Sequence, residues 1–586
     1  MSVRPNQAAV PAPPHRALRL AVLAVPVLIL NAALLWHFHD RYWYPTDDGF
    51  YANIAERLLN GEILGRDIQD IHPGLIHFVH AAAMRIFGVD MVSLRYPLVA
   101  AAFLQSVFVY LLLRRRGELV AAAGSLASVA LGVPQFVDPS PNWYALALTV
   151  VLAWWFVEIR SGTRRLLGAG ILIGTITALR QLSGVWVAMG AIVVVLLEAG
   201  EAATAGSKAL ARGLLGIMLG ATLWYLVVTP DTRLGTVLLI VLWPTAILIW
   251  AIKNTQAPNA VVARVVGVLA LGASLPLLPL LAYHVAHQSV GIWLSDIVLS
   301  ALRETELKFF GADWYGLALL AGLYQMVSHP DPARIANGFY WAALLLAPLA
   351  NGLLALHALR TKNTSIPRLP ILAAFAAMVS TYYAGPLYLY YSVGIVLVSV
   401  LWMATQVERY ARWPAFATIG LSVIALVFHA GQSRRRTAVD ILEGRVVSKV
   451  WFDESRAPIE RATLRIERTD IETYGSLVNL IRREVREDED ILAMPNDAEL
   501  YFLAKRRNPV RFYNSAMIQT DADAQALRHL LESSPPRLVL FRPDDKYMTR
   551  LVRDVMIRVK ASATLLTTID GLEVYRLRAP ERPATP

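Results

Sequence analysis

The sequence predicts a polytopic α-helical membrane protein that ends in a soluble α/β domain. Three observations lead there: composition, the recurrence of apolar runs, and a late change in character. Of 586 residues 56% are hydrophobic and 17% charged, with a mean hydropathy of +0.46, which is too apolar for an ordinary soluble chain. Apolar runs recur from Ala17 to Ala430 and then stop. The net charge of +11 sits in short Arg and Lys clusters between those runs, as loop charges that set topology do. No nucleic-acid partner is read from it. The absence of cysteine excludes disulfides, thiolate metal sites and cysteine nucleophiles.

Three regions follow. Residues 1–16, rich in Pro and Ala, read as a disordered cytoplasmic tail, 17–433 as the membrane domain, and 434–586 as an extracytoplasmic α/β domain. Ala17 to Trp36 carries Arg19 as its one charge and matches the roughly 20 residues needed to cross a bilayer. It is longer than a signal-peptide core and lacks a small-residue cleavage site, so it is predicted to stay as an anchor. Arg4, Arg16 and Arg19 put the N-terminus inside and the loop Pro45-Thr-Asp-Asp-Gly-Phe-Tyr51 outside.

Further spans are predicted at 92–113, 119–136, 143–159, 166–179 and 183–198. Arg114-Arg-Arg116 and Arg160 to Arg165 fall inside, while Asp138-Pro-Ser-Pro-Asn142 and Arg180 to Gly184 fall outside. Gly170 and Gly174, four apart, allow close helix packing. Spans at 213–228, 234–252 and 262–283 lead to a long outer region, His284 to Asn337. Within it Trp314 to Val327 is read as interfacial or re-entrant, because a full crossing would put Arg360-Thr-Lys362 outside. Spans at 338–359, 369–384, 387–404 and 413–430 complete about thirteen crossings. Beyond Arg434-Arg-Arg436, Ile491 to Met494 and Arg537 to Phe541 read as buried strands, and Leu572 to Leu577 as a closing strand. Between them 472–486, 522–533 and 546–558 have helical periodicity.

Asp47 and Asp48, just beyond the first span, carry the chemistry-bearing signal. A carboxylate within reach of a hydroxyl takes its proton as that oxygen attacks an electrophile. An acidic pair in a solvated loop is the bland alternative. Asp48 to Asn60 reads as an amphipathic helix with an acidic start, a turn follows through Asp70, and Ile71 to Gly88 reads as a second interfacial helix. Two such helices on the membrane surface can roof a cavity.

Residues 40–115 resemble the GT-C fold glycosyltransferases that use lipid-linked sugars. The likeness is to bacterial relatives of protein O-mannosyltransferases and lipid A aminoarabinose transferases. It rests on the acidic pair after the first span, the helix Tyr51 to Leu59, the turn Arg66 to Leu75 and the hydrophobic helix ending at Gly88. The pattern of spans continues it loosely to about residue 430, and Glu499 to Pro509 resembles the outer domain of such proteins. The resemblance implies Asp47 as general base, with Asp48 as a helix cap or second acceptor contact. It implies a polyprenyl-phosphate-linked sugar donor, inversion at the anomeric carbon, and an extracytoplasmic glycan, lipid or protein acceptor at the inner membrane.

The donor phosphate calls for a guanidinium. Arg180 is the first candidate, an interfacial arginine that snorkels to lipid headgroups being its alternative, and Arg303 and Lys308 follow. Asp70, His72 and Tyr388 are substrate-binding candidates. His72 stands where relatives carry a lysine, Gly74 replaces a proline, and Tyr382 to Tyr391 also fits an interface belt. No cofactor is implied. A divalent metal at His77 and His80, three apart, is a weaker alternative. A secondary transporter or lipid flippase is the competing class, but its ionisable residues would sit at the midplane and here they gather at span ends. A non-catalytic scaffold of the same fold is the third reading.

Overall fold

The computed structural model describes residues 14–159, 162–201, 207–228, 234–304, 314–361, 366–383, 385–406, 412–430 and 454–577. Lys308, Arg434-Arg-Arg436 and the boundary at 433/434 lie outside the described residues. Among the described residues nine helices are long and apolar enough to cross a membrane, by length and composition. Helices occupy the other four predicted spans as well, at Pro14–Phe38, Pro141–Glu158, Thr163–Leu179 and Arg368–Ala376. The described apolar stretches Val22–Phe38 and Arg368–Thr381 are shorter than a span, as is Thr163–Leu179 at 17 residues, and Pro141–Glu158 begins and ends on polar residues.

The charges sort the helix ends into two sets. At one end Arg115 pairs with Glu158 (2.5 Å), Arg165 with Glu198 (2.6 Å), Arg368 with the same Glu198, and Arg264 donates to Thr163 (2.7 Å). These are the loops that the positive charges assign to one side. The loops assigned to the opposite side, around Asp47, Asp138, Arg180 and Tyr388, meet at a single cavity. The helix Trp314–Ser328 stays at that second end. Its Tyr315 hydroxyl donates to the carbonyl of Ser380 (2.8 Å), and Gly322 and Met326 pack on Gly338, early in the helix Pro332–Arg360. At 15 residues it is also shorter than the helices long enough to cross a membrane.

Gly170 and Gly174 allow what their spacing predicts. A Cβ at Gly170 would come 2.4 Å from the Leu269 carbonyl oxygen, and one at Gly174 2.2 Å from that of Ala273. Backbone contact this close between Thr163–Leu179 and Asn259–Ala286 needs glycine.

The segment between the first two predicted spans folds as two short helices. Pro45–Leu59 starts with Pro at its first position and Asp47 and Asp48 in its first turn, both favoured at a helix N-terminus. Leu75–Phe87 follows Gly74, whose φ of 119° is open to glycine and strained for other residues.

The C-terminal domain has a four-stranded sheet in the spatial order Ile491–Met494, Leu538–Phe541, Leu572–Leu577, Ala563–Ile569. The first pair is parallel and the rest antiparallel. The helices Arg468–Glu484, Asp521–Ser533 and Arg550–Ser562 surround it. The last begins four residues later than the periodicity indicates. Ala563–Ile569 was not predicted as a strand, although Asp570-Gly571, both at positive φ, is a two-residue hairpin signal.

This domain is fastened to the same segment, between the first two predicted spans. Tyr42 and Arg465 exchange main-chain hydrogen bonds with the opposing segment, at Tyr42 N to Arg465 O (2.9 Å) and Arg465 N to Asp40 O (2.6 Å). The Trp43 indole donates to Asp470 (2.8 Å), and Phe50 stacks on Tyr513 at 4.2 Å between centroids. Gly49 faces the helix Glu499–Ala504 so closely that a Cβ there would lie 2.2 Å from the Glu499 Cβ. Because that neighbour is backbone and Cβ rather than a flexible tip, Gly49→Ala forces the helices apart. The expected cost is about 1–3 kcal/mol, measured as a lowered thermal midpoint; an unchanged midpoint contradicts this packing.

Candidate active site

The cavity lies where the second set of helix ends meets the C-terminal domain. It encloses about 400 Å³, within the roughly 300–1,000 Å³ usual for small-molecule sites. The membrane part contributes Asp47, Tyr51, His72, Asp138, Arg180, Glu304, Tyr382 and Tyr388, and the soluble domain contributes Asn496, Asp497, Arg542, Lys546 and Tyr547.

The two adjacent aspartates have different fates. Asp48 is 1% exposed and meets Arg95, itself fully buried, through Nε at 3.0 Å and Nη2 at 2.6 and 2.7 Å. It also accepts from the Tyr44 backbone N–H at 2.7 Å, ahead of the helix. Asp48 does not line the cavity. Asp47 does, and part of its surface is reached from there. The protein around it still removes most of its hydration. That desolvation, reinforced by Asp48 and Glu304 and opposed by Lys546, pushes its carboxyl up to about 7.

Asp70, His72 and Arg180 form a chain. The Arg180 Nη1 donates to His72 Nε2 at 2.7 Å, and His72 Nδ1 lies 3.0 Å from Asp70 Oδ1. A guanidinium cannot accept a hydrogen bond, so His72 Nε2 carries the lone pair and Nδ1 the proton that it donates to Asp70. Burial, with the Arg180 charge behind it, keeps the imidazole below its ordinary range despite Asp70. His77 Nε2 reaches the second Asp70 oxygen at 2.5 Å. Burial alone would raise Asp70, but the two imidazoles outweigh it and hold the carboxyl well below the usual range.

Arg180 is 3% exposed, lies over the Tyr382 ring at 4.7 Å, and makes no carboxylate ion pair among the described residues. Its Nε has no hydrogen-bond partner there. Glu304, further off on the same wall, interacts with it electrostatically without forming an ion pair.

Two further carboxylates line the cavity. Glu304 accepts from the Tyr382 hydroxyl at 2.7 Å, and burial raises it. Asp138 accepts from the Trp143 indole at 3.0 Å and from the Tyr391 hydroxyl at 3.3 Å. Burial first, then Asp47 and Asp48, push its carboxyl up.

Asp70, His72 and His77 each offer one ligand atom within 4.8 Å of the others. This donor set fits a cation poorly, because Arg180 already occupies His72 Nε2 and sets a positive charge beside it. His80 stands apart from the cluster. It is buried, neither ring nitrogen has a hydrogen-bond partner, and it packs edge-on to Tyr51 at 5.3 Å.

Asp47, His72, Arg180 and Tyr388 thus share the cavity wall, while Asp70 stands behind His72 and Asp48 behind Asp47. Arg303 is exposed and does not line the cavity. Asp138, Glu304, Asp497, Arg542 and Lys546 were not singled out in the sequence, and Tyr382 only as part of the Tyr382 to Tyr391 stretch. Asp138 carried a usable signal, a carboxylate in an outer turn before a span, as Asp47 is.

No family model and no curated protein sequence matches the chain. Solved structures similar to it include ArnT from Cupriavidus metallidurans bound to undecaprenyl phosphate, 13% identical, covering 96% of this chain and 98% of its own, with a TM-score of 0.37. The apo state of the same protein is 14% identical over 96% and 97%, with a TM-score of 0.39. The apo Archaeoglobus fulgidus oligosaccharyltransferase is 11% identical over 89% and 69%, with a TM-score of 0.42. At such distances the cavity's own residues have to carry any statement about chemistry.

Replacing Asp48 by Asn strands the Arg95 charge in the interior. The expected cost is about 3–5 kcal/mol, read from the thermal midpoint, with much of it regained in the double variant Asp48→Asn/Arg95→Met. Equal stability of Asp48→Asn and the parent contradicts a structural role for this pair.

Proposed function

We propose that the protein is a GT-C-like glycosyltransferase that moves a sugar from a polyprenyl phosphate to an acceptor hydroxyl. The observation that carries this reading is the presence, in one cavity at the ends of the membrane helices, of a titratable carboxylate and a buried guanidinium that has no carboxylate ion pair among the described residues. The first suits a proton acceptor, the second a phosphate. A soluble domain closes the cavity from the other side.

In the proposed step the acceptor oxygen attacks the anomeric carbon. Its proton passes to Asp47, the bond from that carbon to the phosphate oxygen breaks, and the electron pair leaves with the polyprenyl phosphate. A single displacement inverts the configuration and needs one base only. A pKa near working pH lets Asp47 be ionised often enough and still accept a proton readily. Arg180 neutralises the charge that grows on the leaving phosphate, and it is kept in place by His72, which Asp70 in turn holds. His72, neutral and already donating to Asp70, is assigned positioning rather than proton transfer. Tyr51, Tyr382 and Tyr388 supply ring faces and hydroxyls for the sugar. The ionisable groups gather at this cavity at the helix ends rather than halfway along the helices, which favours an enzyme over a transporter.

Four outcomes test the reading. Purified protein incubated with a panel of radiolabelled polyprenyl-phosphate sugars is expected to release polyprenyl phosphate; a folded protein that turns over none of them contradicts it. Asp47→Asn is expected to lower transfer by about 10²–10⁴-fold with donor binding retained. For the parent, transfer falls about tenfold per unit of pH below roughly 6 and levels off above roughly 8, since the base must be unprotonated and its pKa lies at about 7. A rate flat across that window rules out Asp47 as the base. Arg180→Gln is expected to weaken donor binding by about 10–100-fold, and an unchanged donor KM removes it from the phosphate site.

A further inference from the structure

The soluble domain's share of the cavity has chemistry of its own. Ile491–Met494 and Leu538–Phe541 run parallel and side by side, and the chain just past their carboxyl ends supplies Asn496, Asp497, Arg542 and Lys546 to the cavity wall. A crevice outside the carboxyl ends of adjacent parallel strands is a recurrent ligand position. Asp497 is 3% exposed, its Oδ1 accepts from Arg542 at 3.3 Å, and its Oδ2 has no hydrogen-bond partner. The Asn496 side chain, 7% exposed, likewise makes no hydrogen bond among the described residues. Two nearly buried polar groups with unused hydrogen-bonding capacity on a cavity wall require a ligand or water to satisfy them.

The wall is not built for an anion. Arg542 is taken up by Asp497 and by the Asp570 carbonyl at 2.5 Å, and Asp497, Asp545 and Asp570 face the cavity against Arg542 and Lys546. Nor is it built for a peptide, which would be met by a free strand edge, whereas the edge strand Ile491–Met494 is buried along its length. What it offers is a carboxylate and a carboxamide, both able to engage neighbouring hydroxyls, next to the rings of Tyr474, Tyr513 and Tyr547. Apolar ring faces beside a few convergent polar groups suit a polyhydroxylated ring.

We propose that Asn496 and Asp497 form an acceptor subsite for a saccharide, so that the attacking hydroxyl is a sugar hydroxyl. Arg542 is a positioning residue that orients the Asp497 carboxylate. This rests on the transferase reading above: the donor enters beside Arg180 and the acceptor from the soluble-domain side, with Asp47 between the two roles.

The test uses the full-length protein in lipid nanodiscs with a radiolabelled polyprenyl-phosphate sugar that it turns over. Soluble neutral oligosaccharides and a Ser/Thr-containing peptide are offered as acceptors. Polyprenyl-phosphate release without acceptor, in which water takes the place of the attacking hydroxyl and the sugar is freed, reports the transferase reading by itself, and its stimulation by acceptor reports this inference. Oligosaccharide is expected to stimulate release and to become labelled. Asn496→Ala and Asp497→Asn are each expected to raise the KM for oligosaccharide at least tenfold while leaving the donor KM and the acceptor-free rate unchanged. Thermal midpoints identify a variant that fails to fold, and Asn496→Ala, which breaks no ion pair, then carries the result. Labelling of the peptide alone, no stimulation by any oligosaccharide while acceptor-free release persists, or equal changes in donor and acceptor KM each overturn the subsite. Absence of release under all conditions overturns the transferase reading instead.

Discussion

The buried pair between Asp48 and Arg95 is the constraint on which the cavity depends. Two neighbouring carboxylates at the start of a helix repel each other and compete for the same donors. Arg95, arriving from the next membrane helix, engages both oxygens of Asp48, and Tyr44 adds its backbone N–H to the same carboxylate. Successive side chains on a helix diverge by about 100°, so holding Asp48 inward turns Asp47 toward the cavity. One acid is thereby spent on fixing the helix, and the other is left to titrate. The ion pair also ties the interfacial helix to the membrane bundle, which sets the cavity's floor.

Its roof is set by the soluble domain, which is attached at several points along the same short loop. Main-chain pairing at Tyr42 and Arg465, the stack of Phe50 on Tyr513 and the contact of Gly49 with Glu499 all fall within the loop that carries Asp47. Lower down, Arg511 donates to Asp296 at 2.9 Å and Gln519 to the Ser300 carbonyl at 3.2 Å, so the domain also grips the segment that leads to Glu304. The loop that carries Asp47 and the wall that faces it are thus one packed unit. This explains why a carboxylate that opens to the cavity is still strongly desolvated: protein surrounds it from both the membrane side and the soluble side.

Much of this architecture is legible in the chain because it is written locally. Span length and the placement of Arg and Lys are properties of short windows, and they sort the loops into two ends that the folded molecule reproduces. Asp47, His72, Arg180 and Tyr388 sit at span ends and were visible there. The division of labour between Asp47 and Asp48 was not, since the arginine that decides it lies a loop and a helix further on. Asp497, Arg542 and Lys546 were invisible for the same reason, more severely: they reach the site only through packing between distant parts of the chain, and nothing in their own surroundings marks them. The strand Ala563–Ile569 escaped because half of its residues face solvent, leaving a weak alternation that the Asp-Gly turn alone could have revealed.

The central claim is that donor phosphate and base meet across this one cavity. A cryo-electron-microscopy structure of the protein with bound polyprenyl phosphate tests it most directly. The account predicts phosphate oxygens within hydrogen-bond distance of the Arg180 guanidinium, with the Asp47 carboxylate facing the space beside the phosphate where a sugar would lie. Phosphate seated elsewhere, or Asp47 turned away from it with Asp48 in its place, would contradict the account.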